Sequence, residues 1–271
     1  MRVTVPILHA DGERRARCVS GYRPSATPHI EAKEGVAAGT LPTSTNNRAN
    51  DTPIDDQGQV GCCTAMATVG VMKFLRKRFG LAAASFAWLA LYWWTRVSIE
   101  QGDPSLDNGA MGGDAVKAAE EFGIPTTAAW PSSDFAAQPS DAAKTDAALH
   151  RFQLRVQLPT LVAGAPCLDH LKASLAEGFP FVFGMPVDEA FMSDTTASTG
   201  VAAPPSTSPV AGGHEMMAID YDDGRGAFFV RNSWGEDWGE EGYVWIPYGW
   251  WLSLLAGDCW SPRVLATEVL S

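Results

Sequence analysis

The Pro-free run from Cys63 to Phe79 constrains the fold more than any other part of the sequence. It is rich in Ala, Met, Val and Leu, apolar on nearly every side before Lys73, and ends in Arg76-Lys77-Arg78 just ahead of Gly80. Basic residues in a last turn suit the negative end of the helix dipole, and glycine supplies the stop. A helix that is apolar all round has to be enclosed, so this one belongs inside a core.

The elements around it are unevenly distributed. Helical patterns cover Phe86 to Ile99, Asp114 to Phe122, which stops at Gly123 before Pro125, and Leu168 to Glu177. Strands are expected at Pro180–Val187, Glu215–Tyr221, Ala227–Arg231 and Tyr243–Pro247, with a turn at Asp222-Asp223-Gly224. Helices first and strands later point to an α+β protein of two lobes rather than an alternating α/β sheet. From Met1 to about Pro53 the chain is polar and rich in Gly, Pro, Thr and Asn, which reads as an extended arm with few regular elements. Ser132 to Ala148 reads as a polar connector, and Ser193 to Gly213 as a long loop that is either a functional cover or an insertion.

Composition removes several classes of function. The 271 residues carry a formal charge of −11, and basic residues never run beyond the three at Arg76-Lys77-Arg78, so no nucleic-acid partner is expected. The longest apolar stretches, Phe179 to Val187 and Phe86 to Trp94, fall short of the ~20 residues that span a bilayer. No membrane partner is expected either. The N-terminal sequence is broken by Pro6 and His9 and does not read as a secretory leader, so the expected location is cytoplasmic. Cys18, Cys62, Cys63, Cys167 and Cys259 form neither a dense disulfide framework nor paired zinc ligands. His214-Glu215-Met216-Met217-Ala218 lacks the second His of a zinc-peptidase helix, and no Gly-rich phosphate loop occurs, so neither a metal nor a cofactor is expected.

Three segments carry the chemistry. In Gln57-Gly58-Gln59-Val60-Gly61-Cys62-Cys63, a thiol meets the first turn of the buried helix, where free backbone N–H groups and the helix dipole favour thiolate. Cys62 and Cys63 compete for that role, separated only by which side chain faces the cleft. In Gly212-Gly213-His214-Glu215, a histidine opens a strand. In Arg231-Asn232-Ser233-Trp234-Gly235, Asn232 ends the next strand, and two adjacent antiparallel strands can bring His214 and Asn232 side by side.

In this order the segments resemble papain-like cysteine peptidases, in which a Cys is followed far downstream by a His and by Asn-Ser-Trp-Gly. Further agreement comes from Asp107-Asn108-Gly109-Ala110, from Ala118 to Pro125 with Trp130-Pro131, and from Leu171 to Val187, so the likeness covers roughly Leu41 to Tyr248. Gly21-Tyr22-Arg23-Pro24 and Thr64 add a similarity to the shorter bacterial members.

The resemblance implies a papain-like two-lobed α+β fold with an N-terminal arm over 1–40, a helical lobe over 41–135 and a β-barrel-like lobe over 136–271. It implies Cys63 as nucleophile and His214 as base and later acid, held as a thiolate–imidazolium pair, with Asn232 orienting the imidazole. Gln57 and the Cys63 backbone N–H would hold the oxyanion, and Trp234 would shield the His214–Asn232 contact. Asn108, Gly109 and Ala110 would pair with an extended peptide, with Gly213 and Glu215 beside them. Glu215 replaces a usual small residue and could attract a basic side chain. The expected reaction is peptide hydrolysis through an acyl-thioester. Transpeptidation, removal of a modifier protein and catalytically silent peptide binding remain as alternatives. The expected partner is a peptide or protein substrate, with restraint by an inhibitory partner or by the arm itself.

Overall fold

The computed structural model describes residues 2–37, 39–263 and 265. The arm carries β1 (Thr4–Leu8), β2 (Arg14–Cys18), β3 (Tyr22–Arg23) and β4 (Glu31–Ala32). Then follow α1 (Cys63–Arg78), α2 (Trp88–Trp93), which runs on as a π-helical turn over Trp94–Ile99, β5 (Ala110–Met111), α3 (Gly112–Glu121) and α4 (Asp141–Ala147). The remaining elements are β6 (Arg155–Gln157), β7 (Leu161–Val162), β8 (Ala165–Pro166), α5 (Asp169–Ala176), β9 (Phe181–Asp188), α6 (Asp194–Thr199), β10 (Val210–Asp222), β11 (Ala227–Arg231), β12 (Tyr243–Pro247), α7 (Gly249–Leu252) and β13 (Gly257–Pro262).

Helix α1 is enclosed as its sequence requires: every residue from Cys63 to Leu75 is buried. Its basic last turn reaches outward, with Lys77 donating to the Asp51 carbonyl and Arg78 to the carbonyls of Glu177 and Gly178. The π-helical turn aims Arg96 inward, over the Tyr92 ring, where it donates to the carbonyls of Pro104, Leu106 and Phe135. That cation ties down the loop leading to Asp107 and Asn108. Tyr92 and the Gly61 N–H both donate to the Asp107 carboxylate, so the loop is fixed to the turn before α1.

The strands form an antiparallel sheet in the order β12-β11-β10-β9-β13-β6. In its register His214 faces Met185, Glu215 faces Gly184 and Met217 faces Arg231. The expected barrel-like lobe is not a closed barrel: β6 and β12 are the two edges and do not pair with each other. The β12 edge is instead covered by residues 200–202, whose backbone bonds to Trp245 take up the groups that closure would have used.

Two apolar cores result, one around α1 and α2, the other between the sheet, α5, α7 and the arm. A buried ionic network joins them. Arg231 of β11, 4% exposed, pairs with Asp51 and Asp55, Lys73 of α1 pairs with Asp55, and the Tyr243 hydroxyl donates to Asp51. Removing one member of such a network strands its partners' charges in the interior. Arg231→Leu is expected to lower unfolding free energy by about 3–5 kcal/mol in urea titrations. A loss below about 1 kcal/mol would mean that water reaches the site.

Elsewhere the sequence expectations hold within a residue or two for the named helices and strands, with departures where local pattern was weak. The arm contains the β1–β2 hairpin, and the connector and the long loop contain α4 and α6, begun by the side-chain caps Ser140 and Ser193. Strand β10 starts at Val210, inside the expected loop.

Candidate active site

Cys62 and Cys63 part at the start of α1. Cys62 packs into the helical core, whereas the Cys63 sulfur receives the Glu215 backbone N–H from β10 and lies against Gly21 of the arm. The helix thus turns Cys62 away from the junction of the lobes and Cys63 toward it.

His214 is fully buried on β10, one residue from that N–H donor. Its Nε2 lies 2.8 Å from Asn232 Oδ1, and the Ser233 N–H donates to the same oxygen at 2.8 Å. An oxygen that already accepts one N–H fixes the amide orientation, so His214 Nε2 carries the hydrogen and Nδ1 is left as the basic nitrogen. Nδ1 has no hydrogen-bond partner. Trp234 stacks on the imidazole with centroids 4.9 Å apart, backed edge-on by Trp238 and Phe191, which keeps water from the His214–Asn232 bond.

Gln57 is locked to the same corner. Its N–H donates to the Ser233 carbonyl, its Oε1 accepts from the Ser233 hydroxyl at 2.5 Å, and its Nε2 donates to the carbonyls of Val60 (3.0 Å) and Cys18 (3.5 Å). One donor expected to face a reacting oxygen is therefore turned to a carbonyl of the arm.

The arm fills the cleft. Strand β3 pairs in parallel with β5, and the Ala110 N–H donates to the Gly21 carbonyl at 2.9 Å. Gly109 and Gly213 abut the carbonyls of Gly21 and Tyr22, and the Tyr22 ring packs over Gly184. Of the residues expected to meet a peptide, Gly109, Ala110 and Gly213 thus meet the arm, Glu215 lies buried beneath it, Trp234 backs His214, and Asn108 is exposed at the rim. Tyr22, Gly184, Gly112 and Asp258 were not singled out by sequence. Of these only Tyr22 carried a signal, through the Gly21-Tyr22-Arg23-Pro24 stretch.

This covering shifts both proton affinities. Burial, with the Glu215 charge second, pushes the Cys63 thiol well up, and the Glu215 N–H only partly opposes it. Burial also lowers His214 to about 4, against the Asn232 hydrogen bond. A dry cleft penalises both charges, so burial works against the thiolate–imidazolium pair while the arm is seated.

Comparison with known proteins agrees with this architecture. A profile described as papain family cysteine protease matches residues 104–251. The chain is 30% identical over 223 residues to an uncharacterized peptidase C1-like protein of Acanthamoeba polyphaga mimivirus, covering 80% of this chain and 71% of the viral one. It is 26% identical over 224 residues to a cathepsin L-like proteinase of Fasciola hepatica, covering 75% of this chain and 62% of that one. Among solved structures, xylellain, a cysteine protease from Xylella fastidiosa, superposes with a TM-score of 0.78 at 28% identity, over 90% of this chain and 96% of xylellain. These relatives span a virus, a flatworm and a bacterium, so the likeness to bacterial members widens to the family as a whole. The chain belongs to the papain family of cysteine proteases.

Proposed function

We propose that this chain hydrolyses peptide bonds with Cys63, His214 and Asn232, and that residues Val19–Arg23 hold it closed until they are displaced. The observation that carries the reading is the His214 Nε2–Asn232 Oδ1 bond under Trp234, which leaves a basic Nδ1 on the strand that also donates an N–H to the Cys63 sulfur. With a peptide in place of the arm, His214 Nδ1 takes the thiol proton as the sulfur attacks the carbonyl carbon. The oxyanion is held by the Cys63 backbone N–H and by Gln57 Nε2, released from the Cys18 carbonyl; such donors are each worth about 2.7–4 kcal/mol. His214 then protonates the leaving amine, and water, deprotonated by the same nitrogen, cleaves the thioester.

Cys63→Ala is expected to lower peptide hydrolysis by about 10⁴-fold or more and to abolish labelling by a thiol-directed epoxide. Cys62→Ala should keep both, since that thiol packs in the core. Labelling that follows Cys62 would refute the assignment.

Electrostatics hold the arm in place. Arg2, Arg14, Arg15, Arg17 and Arg23 pair with Asp107, Asp194, Asp237, Asp56 and Glu100 respectively. At its centre, a Cβ on Gly21 would stand 2.6 Å from the Gly61 carbonyl oxygen and 2.8 Å from the Cys63 sulfur, closer than packing tolerates. Gly21→Ala is therefore expected to lift the segment and speed epoxide labelling of Cys63 by about fivefold or more, read by mass spectrometry. An unchanged rate would mean that the arm does not gate the thiol.

The pH dependence of the closed state has a definite sign. Burial and the Asp258 charge hold the Glu215 carboxyl well above its ordinary 4.5, a value it regains when the cleft is hydrated. The titratable groups around it are Asp258 and Cys259 on β13, Tyr22 of the arm, Cys63 of α1 and the adjoining His214. His214 opposes Glu215 only between about 4 and 6.5, where opening lets the imidazole take up a proton. Above that window only proton-releasing groups remain, and each favours opening by up to about tenfold per pH unit. The hydrogen-exchange protection factor of the Ala110 amide is expected to fall from pH 6.5 to 8.5 in the wild type, and far less in Glu215→Gln. A flat profile in the wild type would sink this account.

A further inference from the structure

The two groups assigned to the oxyanion, Gln57 Nε2 and the Cys63 backbone N–H, flank one turn that holds its own shape poorly. Inside it the Val60 N–H reaches the Gln57 carbonyl only at 3.4 Å. Helix α1 begins at Cys62 without a side-chain cap, and no acid lies in its first turn. Gln57 Nε2 donates one hydrogen to the Val60 carbonyl at 3.0 Å and the other to the Cys18 carbonyl of the arm at 3.5 Å. When the arm lifts, the second hydrogen is freed and the first alone aims the amide. The direction of the Val60 carbonyl therefore decides where Gln57 points.

That carbonyl shares a planar peptide unit with the Gly61 N–H, so whatever holds the N–H holds the carbonyl as well. The Gly61 N–H is held by Asp107, at 3.0 Å from Oδ1 and 3.1 Å from Oδ2. The Asp107 side chain is 6% exposed. Its Oδ1 also accepts from the Tyr92 hydroxyl at 2.7 Å, and that hydroxyl accepts from the Gly109 N–H at 3.1 Å, so the carboxylate is aimed from α2 behind it. A Cβ on Gly61 would stand 2.9 Å from Asp107 Oδ1 and 3.5 Å from the Gly21 Cα, which leaves the carboxylate in close contact with bare backbone. The arm adds one bond, from Arg2 Nη1 to Oδ2 at 3.2 Å. When the arm lifts, that bond goes, whereas the Gly61 and Tyr92 donors belong to the body and stay.

We propose that Asp107 is a positioning residue for hydrolysis: through the Val60–Gly61 peptide unit it aims Gln57 Nε2 at the oxyanion. The inference rests on the peptidase reading above. Asp107 touches neither substrate nor the reacting atoms. Its effect falls on the transition state, because the oxyanion that Gln57 meets is absent from the bound peptide, and a misaimed donor lowers kcat without weakening binding. A displacement of about 1 Å in such a site can cost about 100-fold in rate. The hydrogen bond, rather than the charge, is what the peptide unit needs, so an asparagine oxygen in the same place serves.

The test compares two reactions of the full chain: hydrolysis of a peptide amide, and alkylation of Cys63 by iodoacetamide, which displaces iodide without forming an oxyanion and is read by mass spectrometry. Asp107→Ala is expected to lower kcat about tenfold or more without raising KM, while alkylation stays as fast as in the wild type or faster. Asp107→Asn keeps an acceptor for the Gly61 N–H and should recover kcat to within about threefold of wild type. Should Asp107→Ala not fold, Tyr92→Phe removes one donor that aims the carboxylate and should lower kcat about threefold or more, again without slowing alkylation. Arg2→Ala controls for loosening of the arm and should leave kcat within about twofold. A kcat for Asp107→Ala within about twofold of wild type, alkylation that falls in step with kcat, an Asn variant as slow as Ala, or an equal fall in Arg2→Ala would overturn the positioning role and leave the peptidase reading intact. Absence of hydrolysis by the wild type would overturn that reading and the inference with it.

Discussion

Enclosure of α1 is the constraint from which the rest follows. A helix whose side chains are buried from Cys63 to Leu75 needs partners on all sides, and one lobe cannot supply them. The sheet takes the remaining face, so the N-terminal thiol of the helix is carried to the seam between two cores, against the backbone of β10. The ionic network of Arg231, Asp51, Asp55 and Lys73 fixes that seam laterally, since its charges have no water to turn to if the lobes part. Groups that are more than a hundred residues apart in sequence are in this way brought to one corner by packing.

The arm turns that corner from an open cleft into a dry interior. Its effect on chemistry comes less from any single contact than from the loss of water, which raises one partner's proton affinity and lowers the other's until neither charge is favoured. The same exclusion bears on the carboxyl group with no donors at the centre of the molecule: burial raises its proton affinity, and a protonated carboxyl costs less to bury than an ion.

Much of this was legible in the sequence, and what was not has physical reasons. The apolar run of α1, its basic end and Gly80 marked one helix almost to the residue, and the β-rich runs marked β9, β11 and β12. Cys63, His214, Asn232 and Gln57 could be singled out through the resemblance that the order of three segments carries, whereas the residues alone left Cys62 and Cys63 open. The hairpin β1–β2 escaped because β2 reads Arg-Arg-Ala-Arg-Cys, where charge hides the alternation that burial of Ile7 and Val19 imposes from outside. The sheet's open form escaped because edge pairing depends on residues 200–202, a stretch without strand pattern. Asp258 escaped because one acid in a short strand looks like a solvated position until the strand's neighbours are known. The arm's path through the cleft could not be read either, since a strand of two residues has no periodicity.

The blocking segment is not a free tail. On one side it continues into the hairpin, whose Ile7, with the adjoining Val19, is sunk in the sheet's core, and on the other into β4, paired with β7. A short stretch fastened at both ends stays close to its seat even when it leaves, so its effective concentration there is of the order of millimolar or higher. Under the proposed function, a free peptide would compete with an intramolecular rival on those terms, its apparent affinity lowered by the fraction of molecules that are open at a given moment. Clipping either anchor would convert that rival into a dilutable one, making tether integrity, rather than the strength of the seat, the quantity that sets how much of the peptidase is available.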